Sequence, residues 1–126
     1  MTFATALVAG TGTMGQGIAQ VLAEAGLTVY LFDTSPEALG AAVQAVRGRL
    51  SRRVERGDLQ MDLGRIETQL RPADTLDGLD DVDLAIESVP EKIDVKTAVF
   101  RALDGALPPA AVIATNTSGL DVAALA

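Results

Sequence analysis

The stretch LVAGTGTMGQGIAQ, Leu7 to Gln20, sets four glycines (Gly10, Gly12, Gly15 and Gly17) within eight residues. They stand between an apolar, β-rich run, Thr2 to Ala9, and a segment whose apolar residues Met14, Ile18, Val21 and Leu22 recur at helical spacing. Side chains are missing at the junction where a strand and a helix would ordinarily pack through them. The arrangement leaves room for something to approach the backbone.

Gly10-Thr11-Gly12-Thr13-Met14-Gly15 reads G-x-G-x-x-G, and its place after a strand and before a helix is the context in which that pattern has a mechanism. Gly10 permits the tight turn, Gly12 lets a pyrophosphate come close to the main chain, and Gly15 lets the helix pack against the strand. The N–H groups of Thr13, Met14 and Gly15, at the positive end of the helix dipole, then face the phosphates, an attraction of ~0.3–1 kcal/mol at an exposed terminus. Gly17, one turn further in, reads as a packing glycine. The competing reading is a structural turn that binds nothing.

The flanks of the loop favour a ligand. The helix from Thr13 to Ala25 stops at Gly26. LTVYLFD, Leu27 to Asp33, is almost continuously apolar, as a parallel strand covered on both faces should be, and it ends on a carboxylate. Asp33 lies close to the ~20-residue offset at which an acid binds the adenosine ribose hydroxyls. A carboxylate there repels the extra phosphate of NADP, and no basic residue follows at once in DTSP, so the spacing points to NAD. Methyltransferases that use S-adenosylmethionine also combine a glycine loop with an acid ending the second strand, and they stay as the alternative ligand class.

Farther along, Ser35 as N-cap, Pro36 at the first helical position and Glu37 in the first turn open a helix predicted to run to about Arg56, although Gly40 and Gly48 weaken it. Arg47, Arg49, Arg52, Arg53 and Arg56 are half of the 10 basic residues. On residues alone they read as a solvated helix face, partly paired with Glu55 and Asp58. After Gly57, Met61 to Leu70 is a second helical stretch, and RPADTLDGLDD reads as loop with a short strand around Pro72 to Thr75, an interruption of the β-α alternation. VDLAIESV (Val82 to Val89) and AVIATN (Ala111 to Asn116) read as buried strands, PEKIDVKTAVFRALDGAL (Pro90 to Leu107) as the helix between them, and SGLDVAALA as the first turns of another helix. Alternation of this kind predicts an α/β domain over residues 1–126, a doubly wound parallel sheet with right-handed crossovers.

Composition narrows the partners. A formal charge of −7 argues against nucleic acid, whose binding needs a basic face. With neither cysteine nor histidine in the sequence, no metal site is expected. No apolar run approaches the ~18 residues of a membrane span, and MTFATALVAG has no basic leader, so no membrane partner and a cytoplasmic location are expected. Aromatics are few (Phe3, Tyr30, Phe32, Phe100), which suits an aliphatic core of helices on a sheet.

Three stretches, VAGTGTMGQGIAQVLAEAGLTVYLFDTSPEAL, DLAIESVPEKIDVKTAVFRALD and ATNTSGL, together resemble the N-terminal domain of the L-3-hydroxyacyl-CoA dehydrogenase family, in the right order over nearly the whole chain. The most selective part is ESVPE with a lysine five residues on, joined to NTS. The resemblance implies a Rossmann-type fold and NAD as cofactor, with Gly10, Gly12 and Gly15 as the pyrophosphate loop and Asp33 as the adenosine ribose ligand. Glu91 and Lys96 match family residues near the nicotinamide ribose; without the resemblance they read as a first-turn acid and a surface lysine. Asn116 matches a residue beside the nicotinamide and Ser118 one that orients the substrate, whereas NTSG on its own reads as a turn. Gly119 stands where the family usually has a second serine, so this position offers no hydroxyl.

The resemblance also implies that the long helix and the one after it form an arm, inserted after the second strand, whose guanidinium groups complement the phosphates of coenzyme A. The family's general base is a histidine in a Gly-Leu-His-Phe-Phe motif, paired with a glutamate farther along; neither motif occurs in this sequence. The expectation is therefore a truncated sheet, the N-terminal part of a larger enzyme whose substrate and dimerisation domain lies outside the chain. The parent enzyme is expected to interconvert an L-3-hydroxyacyl-CoA and a 3-ketoacyl-CoA with NAD in fatty acid or related acyl-CoA metabolism, as a homo-oligomer if the family's assembly is kept. This chain alone is expected to bind cofactor without turnover. Two alternatives stay open: a stand-alone, non-catalytic nucleotide-binding module, and a sibling NAD-dependent hydroxyacid dehydrogenase.

Overall fold

A computed structural model describes residues 3–76, 79–88, 101–102, 105 and 111–115. The first strand, β1 (Thr5–Ala9), is buried along its whole length. It leads through the glycine loop into α1 (Thr13–Glu24), which ends at Ala25 and Gly26, the latter at φ +99°, a left-handed conformation that favours glycine. Next come β2 (Thr28–Phe32) and α2 (Pro36–Glu55). The Ser35 side chain accepts the Ala38 N–H at 3.2 Å, the capping bond expected of that residue.

A single turn of 3₁₀ helix (Leu63–Arg65) and the short α3 (Ile66–Gln69) form the second helical stretch. They run straight into β3 (Leu70–Pro72), which lies earlier than the strand expected around Pro72 to Thr75. Its register, Val29 with Leu70 through Leu31 with Pro72, is parallel to β2. The segment therefore continues the β-α alternation that it was expected to interrupt. Pro72 is tolerated because β3 is an edge strand and needs no donor on its outer side. β4 (Leu84–Glu87) and β5 (Val112–Thr115) complete a five-stranded parallel sheet in the order β3-β2-β1-β4-β5. Arg101, Ala102 and Gly105 are helical, within the helix expected between these two strands.

The two faces of the sheet differ. Val8, Val29 and Leu31 pack with Ala19 and Ala23 of α1 and with Leu39, Ala42, Val43, Val46 and Leu50 of α2. Leu7 and Ala85 face the other way, toward Ala73, Leu79 and Val82, with half-buried Tyr30, Phe32 and Ile113 against them. β2 is consequently not covered equally on both faces: Val29 and Leu31 are buried, and the alternating Thr28, Tyr30 and Phe32 only partly so. The Asp83 carboxylate accepts the N–H groups of Ala4 (2.9 Å) and Thr5 (3.1 Å), fixing the start of β1 beside the start of β4.

Candidate functional site

The glycine loop is built by backbone constraints that only glycine meets. Gly10 has φ +108°, and its N–H donates to the Phe32 carbonyl at 2.8 Å, which bends the chain over the end of β2. A Cβ on Gly15 would fall far inside contact with the Gly10 carbonyl oxygen and 2.9 Å from its carbon, so the helix can start this close to β1 only without a side chain there. Gly12 is different: a Cβ on it meets nothing within 4 Å, and the residue is exposed. The space that its missing side chain leaves is open to a ligand.

Gly12 caps α1 with no side-chain bond, and the first turn holds no acidic residue. The first N–H to find an acceptor within the helix is that of Gln16, on the Gly12 carbonyl at 2.9 Å. The N–H groups of Thr13, Met14 and Gly15 thus point out of the helix at its positive end, with no carboxylate in the first turn to compensate them, which is the requirement for holding an anion. These residues fit a pyrophosphate. Gly17 does not do what was expected of it. It is exposed, a Cβ there meets nothing within 4 Å, and it lies on an open apolar face of α1 with Met14 and Val21.

Asp33 follows β2 and closes the site from the other side. Its Oδ2 accepts the Thr11 hydroxyl at 2.6 Å and the Thr11 N–H at 3.2 Å, while Oδ1 accepts the Ser35 N–H at 2.9 Å. Partial burial pushes the carboxyl pKa up, but the Thr11 hydroxyl and the N–H groups of Ser35, Thr11 and Thr34 outweigh it and hold the pKa below 3.8. The group is ionised at neutral pH, as an acceptor for ribose hydroxyls must be.

Thr11 escaped notice in the sequence because the x positions of the motif carry no requirement of their own. Two further residues were missed. Gln16 donates from its amide to the Thr11 carbonyl (3.0 Å) and accepts from Arg49 Nη2 (3.0 Å), a link between α2 and the loop. Glu87, at the end of β4, is fully buried beside Ala9. No sequence signal separates it from an ordinary strand-end acid.

The arginine run of α2 resolves into separate tasks. Arg47 donates to the carbonyls of Glu67 (3.1 Å) and Leu70 (2.8 and 3.1 Å), and Arg49 to Gln16 and Gln20. Arg53 pairs with Glu24, rather than with Glu55, and Arg56 with Asp58. Arg52 is exposed and has no partner among the described residues. Leu50 is the last buried residue of α2; beyond it Arg53 still pairs with Glu24 of α1, and Leu59 and Met61 pack back against the same core.

Glu91, Lys96, Asn116, Ser118 and Gly119 lie outside the described residues. The strands that precede them end in one row, with Ala9 beside Phe32 and Glu87, and Glu87 beside Thr115. Gly10, Asp33, Ser88 and Asn116 are the next residues of the four strands. Among the described residues no group of three His, Cys, Asp or Glu could hold a metal, and no helix is long and apolar enough to cross a membrane.

Comparison with known proteins agrees with this geometry. The family described as 3-hydroxyacyl-CoA dehydrogenase, NAD binding domain, matches residues 5–126. The chain is 41% identical over 123 residues to the 3-hydroxyadipyl-CoA dehydrogenase of Escherichia coli, covering 97% of this chain and 26% of that one. It is 35% identical over 121 residues to the probable 3-hydroxybutyryl-CoA dehydrogenase of Bacillus subtilis, covering 95% and 42% respectively. A crystal structure of 3-hydroxybutyryl-CoA dehydrogenase from Escherichia coli K12 superposes with a TM-score of 0.88 at 39% identity, over 99% of this chain and 27% of that one. The chain thus spans between about a quarter and two fifths of the length of these relatives. An anion-ready glycine loop, an ionised acid at the end of β2, the parallel sheet between them and a match from Thr5 onward lead to one conclusion: this chain belongs to the 3-hydroxyacyl-CoA dehydrogenase NAD-binding domain family, and its cofactor is NAD.

Proposed function

We propose that the chain is the cofactor-binding domain of an enzyme that interconverts an L-3-hydroxyacyl-CoA and a 3-ketoacyl-CoA in acyl-CoA metabolism in the cytoplasm. The observation that carries this reading is the pairing of an open Gly12 with a fixed, ionised Asp33 across the ends of β1 and β2. Gly10, Gly12 and Gly15 shape the pyrophosphate cradle, the N–H groups of Thr13, Met14 and Gly15 bind the phosphates, and Asp33 takes the adenosine ribose. Glu91, Lys96 and Asn116 serve the nicotinamide ribose side and Ser118 orients the substrate, assignments that rest on the family motif. When bound, NAD supplies the hydride acceptor.

Coenzyme A contact by the arm falls to Arg52 and to the loosely paired, exposed Arg56, since the other three arginines are engaged within the domain. Proton transfer from the substrate hydroxyl needs a base worth ~10²–10⁴ in rate, and the sequence holds no histidine. We assign that role to the part of the relatives that the chain does not match. Titration of the purified chain with NADH and NADPH, followed by cofactor fluorescence, tests the reading, and the sequence has no tryptophan to interfere. NADH is expected to bind, NADPH to bind more weakly, and acetoacetyl-CoA to drive no NADH oxidation with this chain alone. Tighter NADPH binding, or turnover by the chain alone, overturns the reading at the step concerned.

A further inference from the structure

The Asp33 carboxylate is not a free acceptor waiting for a ribose. Thr11 gives it two hydrogen bonds on one oxygen, and Ser35 gives it one on the other. A carboxylate has about four lone-pair positions, so Oδ2 is filled and an incoming hydroxyl must come to Oδ1, beside the Ser35 N–H. Thr11 is itself held, because its carbonyl accepts the Gln16 amide N–H at 3.0 Å and the Gln16 carbonyl oxygen accepts from Arg49 Nη2 at 3.0 Å. A continuous line of bonds runs from α2 through the glycine loop to the acid.

We propose that Thr11, the first variable residue of the glycine motif, is a positioning residue for cofactor choice: its hydroxyl clamps the Asp33 carboxylate between the loop and the start of α2. This rests on the NAD-binding reading above. An unclamped aspartate at a strand end can swing about χ1 and χ2 and move its charge away from a 2′-phosphate, which lowers the repulsion that rejects NADPH. A clamped one cannot, because leaving its position costs a charge-assisted hydrogen bond of the strong, short class. The same bond favours the ionised form.

Thr11→Val removes the hydroxyl at nearly constant shape, and Thr11→Ser keeps it. The quantity to measure is the ratio of the NADPH and NADH dissociation constants for the chain and both variants, by cofactor fluorescence, with a thermal melt of each. The ratio is expected to fall about tenfold in T11V, the equivalent of one such bond, and to stay within about twofold of the parent in T11S. If T11V does not fold, T11A is read in the same way. A merely structural tie between the two loops predicts a lower Tm with an unchanged ratio, and that result overturns the proposal while leaving the function untouched. Equal loss in T11V and T11S also overturns it, because shape and not the hydroxyl would then be responsible. A parent chain with no preference for NADH overturns both readings.

Discussion

Gly12 and Gly15 look alike in the motif, yet the structure gives them opposite reasons for lacking a side chain. At Gly15 the obstacle is the protein's own backbone at Gly10, which has no room to yield. At Gly12, with φ −70° and no atom within 4 Å of a built Cβ, nothing in the protein objects to alanine. Gly15→Ala is therefore expected to lower stability by about 2 kcal/mol or more, as overpacking against a rigid neighbour does. Gly12→Ala should leave stability within ~0.5 kcal/mol of the parent but weaken NADH binding at least tenfold, because its methyl group takes the space into which the pyrophosphate must come. Urea denaturation and NADH titration of both variants check this. A Gly12→Ala chain that binds NADH like the parent removes Gly12 from the cradle. At this scale the glycine motif and Asp33 were legible, because φ restriction and charge are properties of residue type. Thr11 was not, since its role depends on where Asp33, 22 residues away, comes to rest.

Among the elements, α2 shows most clearly how local signals and tertiary contacts divide the work. Its start could be read from Ser35, Pro36 and Glu37, and its end from Arg56 and Gly57, which adopts φ +77°. What its arginines do could not be read, because their partners lie far off in sequence. Arg47 reaches the Leu70 and Glu67 carbonyls at the C-terminal end of α3, where three donor contacts tie α2 to the entry of β3. The strand itself is only three residues long and ends on a proline, so the sequence announced a short strand but set it around Pro72 to Thr75, and parallel pairing with β2 is what fixes it at Leu70–Pro72. Arg47→Met keeps the aliphatic stem but strands the Leu70 carbonyl, at a buried residue. We expect a loss of about 1.5–3 kcal/mol in chemical denaturation, the range for a hydrogen bond from a charged group. Arg52→Met, at an exposed and unpartnered position, should cost less than ~0.5 kcal/mol. Equal effects for the two would show that the run acts as a uniform solvated face after all.

For the molecule as a whole, β1 lies at the centre of the sheet, with β2 and β3 on one side and β4 and β5 on the other. The chain leaves β1 toward β2 and later returns on the far side of β1 to form β4, so the loops after β1 and β4 part company at this point, where an open α/β sheet places its ligand crevice. The glycine loop, Asp33 and Ser88 issue from this one edge, where β5 also ends at Thr115. The parallel sheet could be foreseen from the β-α alternation, but the crevice exists only once strand order is fixed. Because its walls come from strands that pair only in the folded sheet, NADH should bind the native state and not the unfolded chain. Linkage then gives a stabilisation of about 2.7 kcal/mol at a free NADH concentration 100 times the dissociation constant. For a domain of 126 residues this corresponds to a rise in Tm of roughly 10 °C. Asp33→Ala, which removes the proposed ribose acceptor and the tie between the two loops, should lower the Tm of the free protein and shrink the NADH-dependent rise at the same concentration. A melt that does not move at that NADH concentration would mean that the nucleotide does not bind the native state in preference to the unfolded chain, and would overturn the crevice as its site.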